Sequence, residues 1–231
     1  MVAIAIVGFS GKMGQKVFEL IQSDDSLSCV NHMIHSKEEI TTLAEQADVI
    51  VDFSHPKMLP ALLQAGEKTN TPIVSGTTGF SLEDKQMLIS ASQKIPILHS
   101  TNFSIGIALC HLLLEKIAPS FGQMADIDIV EAHHKHKKDA PSGTALSLKE
   151  TLKKYLPEKE ISLHSIRAGS IVGEHNMQFN TEEEQITLSH RALTRHCFAR
   201  GALLAAKFIH GKEKGMYSIF DMFTNKEEVK V

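Results

Sequence analysis

The stretch V-A-I-A-I-V-G-F-S-G-K-M-G, residues 2–14, joins an apolar run to a glycine-rich turn. Its first six residues are apolar and rich in β-branched side chains, which is typical of a strand buried on both faces of a parallel sheet. Gly8, Gly11 and Gly14 follow, and helical periodicity runs over Lys12–Ile21. An ordinary tight turn would also explain three glycines. Their position between a strand and a helix favours a dinucleotide site, where glycine backbone approaches a pyrophosphate at the helix N-terminus.

Strand and helix patterns alternate from this start to about residue 104. We predict further strands over Leu27–Ile34, Ala47–Phe53, Pro72–Ser75 and Pro96–His99. The helices between them are predicted over Pro56–Lys68 and Ser81–Lys94. Such alternation predicts a Rossmann-like parallel sheet, with ligand-binding loops at the carboxyl ends of its strands.

The organisation changes after Phe103, where strand patterns cluster without helices between them. Helices are predicted over Ile105–Ile117, which is apolar enough to be buried, and over Ser142–Tyr155. Strands are predicted over Ala125–Ala132, Ile161–Ala168, Ser170–Phe179 and Glu184–Arg191. The last patterns are a helix over Phe198–His210 and a strand over Met216–Met222. We therefore expect an α/β fold with a dinucleotide-binding domain of residues 1–104 and 196–231, and an inserted α+β domain of residues 105–195 with a mixed sheet.

Composition narrows the possible function classes. A net charge of −3 disfavours a general nucleic-acid binder, whose domain is normally basic. Cys29, Cys110 and Cys197 are few and widely spaced, which favours reduced thiols in a cytoplasmic protein. The opening apolar run is short and lacks a basic segment before it, so we expect no signal peptide. No apolar stretch approaches the roughly 20 residues of a membrane span.

A second informative stretch is E-A-H-H-K-H-K-K-D-A-P-S-G-T-A, residues 131–145. Its three lysines outweigh its one aspartate, and its histidines can add positive charge near neutral pH. The backbone N–H groups of Gly143 and Thr144 are placed at a helix start, where an anion is favoured. Three interpretations are open: a solvated basic loop, a metal site on the histidines, and a catalytic anion site. The lysines disfavour a metal, and we expect none.

This stretch closely resembles the signature of the 4-hydroxy-tetrahydrodipicolinate reductase family, also called dihydrodipicolinate reductase. S-G-T-T-G-F (residues 75–80), S-I-R-A-G-S-I-V-G-E-H (residues 165–175) and S-H-R-A-L-T-R (residues 189–195) resemble further blocks of that family. The resemblance implies reduction of a small cyclic dicarboxylate in diaminopimelate and L-lysine biosynthesis, with NADH or NADPH as cofactor. Hydride would reach C4 of the ring, and the 4-hydroxyl would leave as water. The resemblance also implies a cytoplasmic homotetramer assembled through the sheet of the inserted domain.

The resemblance assigns roles to residues of both domains. His133 is expected to be the proton donor or acceptor and Lys137 the proton donor. Substrate-binding positions are His134, Gly143 and Thr144. Arg195 is a candidate for the second carboxylate, and His136 is interpreted as a bystander. The cofactor positions are Gly8, Phe9, Ser10, Gly11, Lys12, Met13, Gly76, Thr77, Thr78, Ser100, Thr101, Asn102 and Phe103. Ordinary turn chemistry also accounts for the glycine, serine and asparagine of these loops.

One departure from the family concerns the cofactor. An acidic residue that binds the ribose 2′-hydroxyl is expected about 20 residues after the glycines. The chain instead has Ile34, His35, Ser36 and Lys37 before Glu38. We predict that NADH and NADPH are both used, with His35 and Lys37 tolerating a 2′-phosphate, although both residues would equally suit a surface loop.

Two other functions are open at this stage. One is a different two-domain NAD(P)-dependent oxidoreductase with an acidic substrate. The other is a nucleotide-sensing protein without turnover. A sensor has no need of a placed acid, so the intact His133 and Lys137 disfavour it.

Overall fold

The computed structural model describes residues 1–30 and 38–224. The chain divides into two compact units, which we call the first unit (Met1–Phe103 and His196–Val231) and the second unit (Ser104–Arg195). The strands are β1 (Val2–Val7), β2 (Leu27–Cys29), β3 (Val49–Asp52), β4 (Ile73–Ser75), β5 (Pro96–His99), β6 (Asp126–His133), β7 (Ile161–Arg167), β8 (Gly173–Asn180), β9 (Gln185–Ala192) and β10 (Gly215–Tyr217). The helices are α1 (Lys12–Ile21), α2 (Glu38–Ala44), α3 (Leu59–Thr69), α4 (Leu82–Ser92), α5 (Ile105–Phe121), α6 (Gly143–Tyr155), α7 (His196–Ile209) and α8 (Asp221–Thr224).

The first unit is built on a parallel sheet in the order β10-β5-β4-β3-β1-β2. Successive side chains of β1 point to opposite faces, and Ile4, Ala5 and Ile6 are all fully buried. Helices α2, α3 and α4 cover one face over a shared apolar cluster. Burial on both faces explains why β1 reads as a continuous apolar run. The prediction of a Rossmann-like parallel sheet is confirmed.

The strand order places a topological switch point between β1 and β3, because the chain leaves β1 toward β2 and later continues from β3 toward β4. In open α/β sheets, ligands bind at such a point, beyond the carboxyl ends of the strands. The loops that follow β1, β3, β4 and β5 all lie at this carboxyl edge, because the strands are parallel.

Several predicted boundaries in the first unit were wrong. The strand predicted over Met216–Met222 ends at Tyr217, because Ser218 donates from its amide and its hydroxyl to the Asp221 carboxylate and so turns the chain into α8. Helix α2 was not predicted. Strand β2 ends at Cys29, and most of the remaining predicted strand lies outside the described residues.

The second unit has a mixed sheet in the order β7-β6-β8-β9. β6 pairs with β7 in parallel, and the β6–β8 and β8–β9 pairs are antiparallel. Helices α5 and α6 pack against each other and over the apolar end of one sheet face, where Ile127, Ile129, Met177 and Phe179 are buried. This arrangement confirms the predicted mixed sheet.

Two predictions for the second unit need correction. Helix α5 was expected to be buried, but Leu109 and Leu113 are 44% and 47% exposed, because α6 and the sheet cover only one side of it. The strand predicted from Ser170 begins at Gly173. Gly169 has a φ of 48°, a left-handed conformation that turns the chain before the strand can start. Among the described residues, no helix combines the length and the apolar character that crossing a membrane requires.

Candidate active site

The face of the second-unit sheet that packs under α5 and α6 changes from apolar to polar along β6. Ile127 and Ile129 are followed on that face by Glu131 and His133, because side chains two residues apart on a strand point the same way. The Glu131 side chain is fully buried, and His133 is 9% exposed. His133 Nδ1 lies 2.5 Å from Glu131 Oε2. The polar end of this face therefore carries a buried carboxylate–imidazole pair.

Arg167 completes the surroundings of Glu131. It lies opposite His133 on the parallel neighbour β7. Its Nη1 donates to Glu131 Oε2 at 2.9 Å and its Nη2 to Oε1 at 2.6 Å, a bidentate pair. Burial alone would raise the pKa of Glu131, but hydrogen bonds from Arg167, Ser165 and His133 lower that pKa to about 2. Glu131 is therefore an ionised group that only accepts hydrogen bonds.

An ionised Glu131 decides which nitrogen of His133 carries the proton. Because the carboxylate only accepts, Nδ1 holds a hydrogen and Nε2 is the nitrogen through which protons can be exchanged. Burial lowers the pKa of His133, Glu131 opposes that effect, and Lys137 and Arg167 add to it. Gly173 lies beside this ring, and a Cβ there would come within 3.2 Å of Nε2. A glycine at that position keeps space around the reactive nitrogen.

The N-terminus of α6 is attached to the same carboxylate. Ser142 caps the helix, with its Oγ accepting from the Ala145 amide at 3.1 Å. The Ser142 amide donates to Glu131 Oε1 at 3.2 Å, and its Oγ lies 3.2 Å from His175 Nε2. Gly143, the first helical residue, is exposed, and a Cβ added to it would meet nothing within 4 Å. The positive end of the helix dipole at this open position suits a carboxylate.

The loop between β6 and α6 carries the lysines. The Lys137 amide donates to the His134 carbonyl at 3.1 Å, which closes a turn. Lys137 Nζ lies 2.8 Å from Asp139 Oδ2, and the hydrogen bond from Lys137 lowers the pKa of Asp139. Lys135, His136 and Lys138 are exposed. Among the lysines of this run, Lys137 is the one held in a specific contact by the described residues.

The structure thus gathers most of the predicted substrate and catalytic residues at one end of the second unit. His133 and His134 end β6 or follow it, Lys137 lies in the next turn, and Gly143 and Thr144 begin α6. Arg195 is an exposed residue of the turn between β9 and α7. Among the described residues, no group of three or more His, Cys, Asp or Glu side chains is arranged to hold a metal ion.

Sequence reasoning missed the partners of His133. Glu131 begins the stretch of residues 131–145 and Arg167 lies within a block that resembles the family, but the sequence alone assigns neither a role. Alternate spacing on a strand was the available signal for Glu131. For Arg167 no local signal exists, since it meets Glu131 only through the pairing of β6 with β7.

The candidate cofactor edge of the first unit depends on glycines. Gly8 has a φ of 87°, and a Cβ there would lie 2.4 Å from the Phe53 carbonyl oxygen. A Cβ on Gly14 would lie 2.3 Å from the Gly8 carbonyl oxygen. Side chains are therefore excluded where the turn enters α1. This close-packed turn before a helix N-terminus fits the pyrophosphate of a dinucleotide.

A buried aspartate organises the neighbouring loops. Asp52, at the end of β3, is 1% exposed and accepts from Ser54 Oγ, Ser75 Oγ and Thr77 Oγ1 at 2.5, 2.8 and 2.8 Å. It also accepts from the Ser54 amide at 3.0 Å. Asp52 therefore holds together the loops that follow β3 and β4. Sequence reasoning assigned it no role, because Ser75 and Thr77 are distant from it in the sequence.

The predicted cofactor residues that follow β4 and β5 lie in loops of the same edge. The Ser100 amide donates to the Ser75 carbonyl, which joins the loop after β5 to that after β4. Phe103 is 2% exposed and packs edge-on against Phe53, and the Thr77 hydroxyl donates to Asp52. Both residues are therefore almost fully buried in this structure.

Comparisons with known proteins identify the family of the chain. A family model described as dihydrodipicolinate reductase, N-terminus, matches residues 2–103, and one described as its C-terminus matches residues 106–223. The 4-hydroxy-tetrahydrodipicolinate reductase of Alkaliphilus oremlandii is 39% identical and aligns over 95% of this chain and 97% of its own length. That of Clostridium novyi is 38% identical over 98% of this chain and 100% of its own length.

Solved structures agree in fold. A dipicolinate-bound dihydrodipicolinate reductase from Paenisporosarcina sp. TG-14 superimposes with a TM-score of 0.79 at 24% identity, covering 94% of this chain and 97% of that one. At that identity the likeness concerns the fold. The near full-length sequence matches decide the family. The chain belongs to the dihydrodipicolinate reductase family of oxidoreductases, whose curated members are named 4-hydroxy-tetrahydrodipicolinate reductase.

Proposed function

We propose that this chain reduces 4-hydroxy-tetrahydrodipicolinate to tetrahydrodipicolinate, with loss of water, and that His133 carries the proton of that reaction. The observation that carries the proposal is the Glu131–His133 pair next to the N-terminus of α6. It combines a group able to exchange a proton with a place able to bind a carboxylate. Family membership supplies the substrate and its place in diaminopimelate and lysine synthesis.

The residues of the first unit fit a nicotinamide dinucleotide. The Gly8–Met13 turn would hold the pyrophosphate, and the Gly76–Thr78 and Ser100–Phe103 loops would line the same edge. When bound, the reduced nicotinamide supplies the hydride that arrives at C4 of the substrate ring. The loop residues would orient the dinucleotide, and the glycines would keep side chains out of the space that it occupies.

The second unit would provide the group that exchanges the proton and the positive charge beside the substrate. Hydride addition and departure of the 4-hydroxyl as water require one proton for each substrate reduced. His133 is proposed to deliver it through Nε2, since Nδ1 is held by Glu131. Lys137, which the sequence predicts as a further proton donor, would release its contact with Asp139 and place its ammonium group beside the dianionic substrate as a counter-charge.

The substrate carboxylates have candidate partners on the same unit. One carboxylate is proposed to bind at the start of α6, against the amides of Gly143 and Thr144. His134 lies next to His133 and completes this side of the site. Arg195 is proposed for the second carboxylate, because it is an exposed guanidinium at the end of the second unit.

Consumption of NADH or NADPH, followed with and without freshly prepared substrate, tests this function. We expect consumption only when the substrate is present. Consumption of the dinucleotide with a different acidic compound, and not with the proposed substrate, would identify a different reductase. Dinucleotide binding without turnover on any of them would identify a nucleotide sensor.

Three finer features complete the proposal. Both NADH and NADPH are expected to serve; the residues behind that expectation, His35 and Lys37, lie outside the described part of the chain. A homotetramer is expected to form through the second-unit sheet, whose face opposite α5 and α6 carries polar pairs such as His164–Asp128 and Arg191–Glu174. Light scattering that gives a monomer would refute the tetramer. Cys29, Cys110 and Cys197 form no disulfide among the described residues, which is consistent with a cytoplasmic location.

A further inference from the structure

We propose that Glu131 is a positioning residue that sets both the reactive nitrogen of His133 and the anion-binding end of α6. The inference rests on the proposed function, because it concerns how His133 and that helix end are prepared for the substrate. Glu131 itself need not touch the substrate, since its carboxylate is fully buried and occupied by protein donors.

The two carboxylate oxygens of Glu131 accept hydrogen bonds from different partners. Oε2 receives His133 Nδ1 at 2.5 Å and so fixes the tautomer and the orientation of the ring. Oε1 receives the Ser142 amide at 3.2 Å and so fixes the residue that caps α6. One carboxylate therefore sets the distance between the proton-exchanging group and the proposed carboxylate site.

Arg167 keeps Glu131 ionised and extends the connection to the lysine loop. Its guanidinium contacts both oxygens of Glu131, and Nη2 also donates to the Asp139 carbonyl at 2.6 Å. Asp139 is the residue whose side chain holds Lys137. Arg167 thus links Glu131 to the loop that carries the second proposed catalytic group.

The charges around His133 predict the direction in which its pKa shifts when Glu131 is replaced. The charged and titratable groups around His133 are Glu131 on its own strand, Arg167 on β7, His175 on β8 and Lys137 in the loop. Of these, only the carboxylate stabilises the imidazolium form. Its removal should therefore lower the pKa of His133 and move the pH dependence of kcat toward acid.

The test uses Glu131→Gln, an isosteric change that removes the charge. We expect kcat to fall roughly 10- to 100-fold, with the pH of half-maximal kcat moving down by about one unit or more. KM for the substrate should rise, because the Ser142 cap loses its charged acceptor. The dissociation constant of the dinucleotide should not change. Glu174→Gln is the matched control, because that glutamate also pairs with an arginine but faces the opposite side of the sheet.

A second variant covers the case in which the single substitution unfolds the protein. Glu131→Gln leaves the partly buried guanidinium of Arg167 without its carboxylate partner, which is destabilising. Glu131→Gln combined with Arg167→Met removes both charges. We expect this folded double variant to keep the low kcat and the acid-shifted profile. Nitrogen-15 NMR of the imidazoles should show His133 losing its Nδ1–H tautomer preference.

The outcomes separate this inference from the proposed function. Wild-type kcat and pH profile in the double variant, with His133→Gln inactive, would overturn the positioning role and leave the function intact. Near-normal turnover in His133→Gln would overturn the proposed function. In that case a lost tautomer preference in the double variant would still support the positioning of the ring by Glu131.

Discussion

Asp52 in the first unit and Glu131 in the second are both buried carboxylates near the carboxyl end of a strand, but they have different partners. Asp52 accepts from three hydroxyl groups and an amide, all of which belong to loop residues or a strand end. Glu131 accepts from a guanidinium, an imidazole and an amide. The first carboxylate holds loops in place, whereas the second also sets the protonation of a neighbouring group.

This difference indicates how the reaction is divided along the chain. Neutral donors around Asp52 suit a surface that must hold its shape for a dinucleotide. Ionic partners around Glu131 suit a site where a proton moves and a dianion binds. Substitutions near Asp52 should therefore change dinucleotide affinity, and substitutions near Glu131 should change turnover and substrate affinity.

The largest expected effect comes from Lys137→Met. Loss of its ammonium group should lower both substrate affinity and turnover, so kcat/KM should fall by roughly 10³-fold or more. Steady-state kinetics with the substrate will check this. Lys138→Met removes the same charge from an exposed position of the same run and should change kcat/KM little. Equal losses in the two variants would mean that only overall charge matters.

A smaller and complementary effect is expected from Asp52→Asn. Its amide nitrogen cannot accept hydrogen bonds, so at least one of Ser54, Ser75 and Thr77 loses its acceptor and the loops after β3 and β4 loosen. The dinucleotide dissociation constant should rise roughly 10-fold, the effect of about 1.4 kcal/mol. Turnover at saturating dinucleotide should stay close to normal. Asp48→Asn, at the opposite end of β3, is the control.

The acid sensitivity of the fold should depend on the second unit. Burial lowers the pKa of His175 to about 3 from the model-peptide value of 6.5. The unfolded chain therefore binds a proton below pH 6.5 that the native protein refuses, so stability present above that pH is lost on acidification. Between pH 7 and pH 5 this group should cost roughly 2 kcal/mol of the free energy of unfolding.

Urea unfolding at the two pH values, at one protein concentration, measures that loss. His175→Gln should reduce that loss by roughly 2 kcal/mol, and His111, whose pKa burial lowers to about 4, should account for a similar share of it. His164→Gln changes an exposed histidine on the other sheet face and should leave the pH dependence as it is. If His175→Gln also left it unchanged, the buried imidazole would not be the acid-sensitive group.

The smallest effect concerns cofactor choice. The chain has no acidic residue between Ile34 and Lys37, so the binding free energies of NADPH and NADH should differ by less than about 3 kcal/mol. Fluorescence titrations with each dinucleotide will compare them. Strong exclusion of NADPH would show that another group rejects the 2′-phosphate.

Local patterns were enough to predict the parts of the fold that depend on local physics. β1 and α1 have the predicted bounds, because a doubly buried strand and an amphipathic helix each leave a clear periodicity. The strand predicted to Met222 failed because the Ser218–Asp221 hydrogen bonds override an apolar pattern that suits either structure.

The candidate site was predictable only in part. His133, Lys137 and the start of α6 lie within one stretch of chain, and so the motif contains them. Arg167 and His175 reach Glu131 and Ser142 through strand pairing and helix packing, which no spacing in the sequence reports. The Ser75 and Thr77 hydroxyl groups likewise reach Asp52 through the pairing of β3 with β4.

We expect the second unit to carry the proton chemistry and the first unit to bind the dinucleotide. Measuring both kcat and dinucleotide affinity in the same sample of His133→Gln tests this, with His136→Gln, an exposed neighbour, as control. We expect kcat to fall by roughly 10²–10⁴ while the dissociation constant of NADH stays unchanged. Near-normal kcat, or a loss of NADH binding that accounts for the lost activity, would contradict this division.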